Sequence, residues 1–213
     1  MNLLALDYFQ VLFLGGGYIG FFLWLMSFVL VAVIIQNILA IRRQNVIPMG
    51  VDQQIRGFLE AKQYREAIEV TTKGQDYLSF IMHAALIEAA HGFGAMERAM
   101  GEAAEERTAK MLRYTEWLNL LGNLGPMIGL LGTVWGLILT FFKIVDKGGI
   151  PDAGELAGAI GVKLVCTLLG LCIAIPALGV YGTMRNRIDT LTAEAQGVGR
   201  DMLGILRRGK KPE

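Results

Sequence analysis

Trp117–Phe142, WLNLLGNLGPMIGLLGTVWGLILTFF, runs for 26 residues without a charge, yet it carries Gly122, Gly125, Pro126, Gly129, Gly132 and Gly136. As a helix rising about 1.5 Å per residue it would be roughly 39 Å long, enough to cross a bilayer core of about 30 Å. A helix that faces only lipid gains nothing from glycines, each of which costs about 1 kcal/mol of helix propensity against Ala. Gly125 and Gly129, Gly129 and Thr133, and Gly132 and Gly136 are each four residues apart. Small residues at that spacing form a flat stripe that lets neighbouring backbones approach closely. The stretch predicts a packed transmembrane helix over 116–143.

The flanks supply two more spans. Tyr18–Ile41 holds 24 uncharged residues closed by Arg42-Arg43, giving a first span over 17–41. Leu164–Met184 is another uncharged run, placing a third span over 156–184. It repeats the small-residue spacing through Cys166, Gly170 and Ala174, and Pro176 can kink it. A polar outer loop over 144–155, with Gly148, Gly149 and Pro151, joins the second and third spans. Residues 1–16 are apolar apart from Asp7 and lack the basic start and cleavage site of a signal peptide. They read as an outer-side interfacial helix.

Residues 42–115 differ in character. Pro48 and Gly50 mark a turn, and Asp52 is placed to cap a helix with Ile55, Phe58 and Leu59 on one face. Tyr64 to Gly74 and Tyr77 to Ala90 read as two more short helices, before a break at Gly92 and Gly94. From Ala95 no breaker intervenes before the second span. One continuous helix to Phe142 is expected, roughly 72 Å long at about 1.5 Å per residue. The tail 185–213 is basic, with helical patterning through Ile188, Leu191, Ala195 and Val198.

Orientation follows from the cations. Ten Lys and Arg lie in 42–116 and seven in 185–213, against none before the first span and two in 143–155. This asymmetry puts the helical domain and tail in the cytoplasm and the N-terminus outside. The 54% hydrophobic content and mean hydropathy of +0.46 agree with a multi-pass membrane protein.

Little here supports solution chemistry. Cys166 and Cys172 lie six apart in an apolar run, the pattern of small core residues rather than of a metal or redox pair. His83 and His91 lack ligand-spaced partners and read as solvated or packing residues. GLLGTVWG around Thr133 lacks the Lys of a phosphate loop. No enzymatic constellation, cofactor, metal site or nucleic-acid surface is expected.

Three intramembrane residues carry more. Thr133 and Thr167 fall near mid-depth of the second and third spans, each on its small-residue side. A lone membrane Thr bonds its own backbone, but two at matching depth suggest a shared polar path. Lys163 lies about two turns into the third span, where a charge costs about 3 kcal/mol unless it snorkels or finds a partner. Either it reaches outward past Glu155, or it faces a pore or interface. Gln36 and Asn37, near the basic end of the first span, read as interfacial.

GPMIGLLGTVWGLILTF, followed about 30 residues later by AIGVKLVCTLLGLCIAIPALGVY, resembles the MotA/TolQ/ExbB proton-channel family. The order of one span, a cytoplasmic helical domain and two further spans is closest to its ExbB/TolQ branch. The resemblance implies an all-α integral membrane protein whose five copies surround a central pore. That pore holds single-span partners of ExbD/TolR type, each with a proton-accepting membrane Asp, and a TonB-like protein is a further candidate partner. The family's pore threonines correspond to Thr133 and Thr167. The stripes Gly125, Gly129, Gly132 and Gly136 and Gly170 and Ala174 would let helices pack closely. In the branch a Glu commonly stands five residues before the third-span Thr, and a Glu-Arg pair at the basic end of the first span. This chain has Val162, followed by Lys163, and Gln36-Asn37. The expected function is a stator subunit of a bacterial inner-membrane motor, coupling ion flow, the proton first, to outer-membrane transport or envelope maintenance. The alternative is a non-conducting scaffold that organises partner helices.

Overall fold

The computed structural model describes residues 17–146 and 152–208, and every regular element among them is helical. The interfacial helix expected over 1–16, residues 147–151 of the loop expected over 144–155 and the last residues of the tail lie outside the described residues. Three long helices dominate: α1 (Gly17–Ala40), α6 (Phe93–Asp146) and α7 (Ala153–Arg208). Each has a segment long and apolar enough to cross a membrane. Between α1 and α6 lie α2 (Arg43–Val46), α3 (Val51–Glu60), α4 (Tyr64–Lys73), α5 (Tyr77–Ile87) and a 3₁₀ turn at Glu88–His91.

Local chemistry sets the breaks. Gly50 takes a left-handed φ of 89° and stands at the N-cap of α3, so Asp52 falls inside the first turn instead of capping it. Asp76 does cap α5, accepting from the Ser79 amide at 2.9 Å and the Ser79 hydroxyl at 2.8 Å. Gly92, at φ 95°, turns the chain into α6, which then runs unbroken past Pro126. Likewise α7 contains Pro176 and continues to Arg208, so the expected span and tail form one helix.

The chain divides into two compact units. One contains residues through Gln36 and Glu116–Gly182 and holds the three spans. Its core is built from Leu23, Met26 and Leu30 of α1, Leu118 and Leu121 of α6, and Cys166, Ile173 and Ala177 of α7. Outward lie Phe21, Phe28, Met127 and Ile175, each more than half exposed. In water such a surface would be a liability; in a bilayer it meets hydrocarbon. Hydrocarbon also removes the hydrophobic drive for helix association, so the packing rests on close contact.

Glycines provide that contact. A Cβ on Gly125 would come 2.9 Å from the Gly170 carbonyl, and one on Gly129 would come 2.7 Å from the Cys166 carbonyl and 3.2 Å from Thr167 Cα. Gly132 faces both Ile19 of α1 and Cys166. As numbers rise along α6 their partners fall along α7, so these spans run antiparallel. The stripe is thus occupied within one chain. Cys172, expected in the core with Cys166, is exposed instead: two residues past Gly170 it points away from the packed face.

The second unit comprises Asn37–Thr115 and the chain from Thr183. Tyr77, Leu78, Ile81, Met82, Met202 and Leu203 are fully buried there. The Tyr77 hydroxyl lies 3.2 Å from the Ala104 carbonyl, 3.0 Å from Thr108 Oγ1 and 3.2 Å from the donating Gln196 amide. Asn37 is buried, not interfacial as its sequence position suggested, and its amide donates to the Tyr114 carbonyl at 3.4 Å. On the surface Glu194 accepts from Arg43 at 2.6 Å, and this hydrogen bond and charge raise the guanidinium's pKa.

Gly129→Ala is expected to cost about 1–3 kcal/mol by overpacking against the α7 backbone. Gly161→Ala, where a Cβ meets nothing within 4 Å, should be neutral or stabilising. Thermal unfolding of both variants in the same detergent checks the contrast, and equal midpoints would remove the close approach as a source of stability.

Candidate functional site

The glycine faces of α6 and α7 bring two hydroxyls together. Thr133, one turn beyond Gly129, is buried, and Thr167, one turn before Gly170, is half-buried. Their Oγ1 atoms are 2.5 Å apart. Thr133 Oγ1 also lies 3.0 Å from the Gly129 carbonyl and 3.2 Å from the Lys163 carbonyl, while Thr167 Oγ1 is 3.5 Å from the Gly129 carbonyl. A hydroxyl has one proton to donate and two lone pairs to accept with. When Thr167 donates to Thr133, Thr133 donates onward to a carbonyl of its own helix or of α7. The Thr167 oxygen then keeps acceptor capacity on the less buried side of the pair. With the pair reversed, Thr133 donates to Thr167 and the Thr167 proton becomes available. The two threonines form a short, reversible hydrogen-bond chain that can meet either a donor or an acceptor.

Lys163 sits one turn from Thr167 on α7. Its aliphatic stem lies on the bare backbone of Gly136, where an added Cβ would come 2.9 Å from Cγ and 3.0 Å from Cε. The stem therefore follows α6 instead of lying free in the surrounding hydrocarbon. Its backbone carbonyl is one of the two open to Thr133. Glu155, the outer-side partner considered for it, has no described side chain. Gly132 and Gly136 thus do different work: the first admits Ile19 and Cys166, the second a lysine stem. Ala174 is buried on the face of α7 that carries Gly170.

Among the described residues no three His, Cys, Asp or Glu converge on a metal-sized site. His83 Nδ1 lies 3.4 and 3.3 Å from the hydroxyls of Thr71 and Thr72, and His91 Nδ1 is 2.9 Å from Glu88. The matching depth of the two threonines is legible in the sequence, whereas the room that Gly136 makes for Lys163 is not, because depth alone does not give the register between two helices.

The sequence profile of the MotA/TolQ/ExbB proton channel family matches residues 73–197, a stretch containing Thr133, Thr167, Lys163 and the small-residue faces. Curated relatives carry the name biopolymer transport protein ExbB. The Pseudomonas putida protein is 28% identical over 176 residues, 75% of this chain and 52% of that protein. The Neisseria gonorrhoeae protein is 35% identical over 95 residues, 43% of each chain. The Salmonella typhimurium protein is 32% identical over 114 residues, 52% of this chain and 46% of that protein. The chain spans about half the length of the curated relatives it matches.

Each threonine hydroxyl retains a backbone carbonyl within reach when the other is removed. Thr133→Val and Thr167→Val should therefore each cost only about 0.6 kcal/mol, an ordinary interhelical hydrogen bond in a membrane. Unfolding of the single variants in detergent measures this. A loss several times larger would mean that the pair is a structural clamp first.

Proposed function

This chain belongs to the MotA/TolQ/ExbB proton channel family, in its ExbB/TolQ branch, and from that membership we propose that it is the stator subunit of an ion-driven motor in a bacterial inner membrane. Five copies would enclose single-span partners of ExbD/TolR type, with the N-terminus outside and the C-terminus in the cytoplasm. The observation that carries the reading is the Thr133–Thr167 pair, bridging two spans in mid-run. The ion would be a proton delivered to a partner carboxylate. In its acid form that carboxyl donates to the Thr167 oxygen; ionised, it accepts a hydrogen bond from the Thr167 hydroxyl after the pair reverses. Both states are met without moving a helix of this chain. The work done would be outer-membrane transport or envelope maintenance, with a TonB-like protein as a further partner.

The same hydrogen bonds favour a second reading. Both hydroxyls reach backbone carbonyls of their own helix pair, as they would in a non-conducting scaffold. Proteoliposomes holding the chain with its single-span partner separate the two. The stator reading expects proton flux in the wild type and loss of at least tenfold in the Thr133→Val/Thr167→Val double variant, with partner capture unchanged. A wild type that captures the partner but conducts nothing supports the scaffold, and full flux in the double variant removes the hydroxyls from the path.

Lys163 bears on pH. A cation one turn from the hydroxyl pair favours the ionised form of any carboxylate docked there and so lowers its pKa. Lys163→Met should raise that pKa and displace the activity profile to higher pH. Superimposable profiles for wild type and variant would leave Lys163 as packing on Gly136.

A further inference from the structure

The second unit contains a cavity of about 660 Å³, within the roughly 300–1,000 Å³ range of small-ligand sites. Its walls come from the last turn of α1 and the segment after it, the start of α5, and α6 between Arg107 and Tyr114. Two of its lining residues are cations, Arg107 and Lys110. Arg107 is held in place, donating to the Gln75 carbonyl at 2.9 Å with its guanidinium 5.4 Å from the centre of the Phe80 ring. A guanidinium has five N–H donors, so one carbonyl does not exhaust it. Lys110 is exposed. The one carboxylate in the lining, Asp76, already accepts from the Ser79 amide and hydroxyl in capping α5. Gln44 adds an amide and Asn45, whose amide nitrogen already donates to the Leu39 and Ala40 carbonyls, adds its amide oxygen, while Ala40, Ile41 and Met111 add apolar wall. The lining therefore combines cations and amides with hydrocarbon.

Its place along the chain identifies what such a site meets. The uncharged run of α1 ends at Ile41 and gives way to Arg42-Arg43, while that of α6 begins at Trp117. Tyr114 lines the cavity, and Tyr114 and Trp117 are both exposed aromatics, as in the belt where a helix leaves the hydrocarbon. Cationic pockets at that level on the cytoplasmic side attract anionic lipid headgroups. We infer that this cavity binds the phosphodiester headgroup of an anionic glycerophospholipid of the cytoplasmic leaflet. Arg107 and Lys110 hold the phosphate, the amides hold the headgroup hydroxyls, and the wall of Ala40, Ile41 and Met111 receives the glycerol end of the acyl chains.

The test is native mass spectrometry of the full chain in detergent, titrated with dioctanoyl phosphatidylglycerol, dioctanoyl phosphatidylcholine or glycerol 3-phosphate. One phosphatidylglycerol per chain is expected, at least tenfold tighter than phosphatidylcholine, with glycerol 3-phosphate too weak to displace it. Lys110→Gln should weaken it about fivefold and Lys110→Glu about 25-fold, from the value of one cation near an anionic headgroup. Ala40→Phe, which fills the cavity from another element without touching its charge, should weaken it as well. Equal binding of the two lipids, or unchanged binding in all variants that keep the wild-type oligomer mass and helix content, would overturn the inference. Tight binding of glycerol 3-phosphate alone would also overturn it, by making this a site for a soluble phosphate ester.

Discussion

The approach of the α6 backbone to the α7 backbone across Gly125, Gly129 and Gly170 is the constraint on which the membrane unit depends. Lipid tails are as apolar as Leu, so two helices in hydrocarbon gain nothing by hiding leucines from it. What they gain is dispersion between surfaces that fit, and the fit here is backbone against backbone, with carbonyls of α7 where side chains of α6 would otherwise stand. That short separation also lets two small hydroxyls touch. Were the helices held apart by ordinary side chains, Thr133 and Thr167 would each fold back onto their own carbonyls and no chain of hydrogen bonds would cross between the spans.

The arrangement resolves a cost particular to membranes. A polar group in hydrocarbon must be satisfied by protein, and the threonines are satisfied twice over, by one another and by carbonyls at Gly129 and Lys163. Surplus acceptors make the pair adaptable. A single fixed bond would lock the proton in place, whereas several similar alternatives let it change direction for the rotation of two hydroxyls.

Much of this was legible in the chain itself. The three spans follow from charge-free runs, the unbroken α6 from the lack of a breaker after Ala95, and the threonine pair from shared depth beside small residues. Other features depended on register, which one sequence does not contain. Asp52 is a good capping residue, but the turn at Pro48–Gly50 starts α3 two residues too early for it. Asn37 looked like a headgroup residue, yet the last turn of α1 meets the Tyr114 carbonyl. Cys172 resembles Cys166 in composition and differs from it only in angle around the helix.

The seat of Lys163 on Gly136 has an evolutionary corollary. These two positions occupy one volume, so neither is free to vary alone. A side chain at 136 would evict the lysine stem from its seat, and shortening residue 163 would leave a groove along α6 for a bulkier neighbour to fill. Substitutions here should therefore arise in pairs, glycine with a long flexible residue or a larger residue with a short one. The cation is an inheritance tied to a missing side chain 27 positions away.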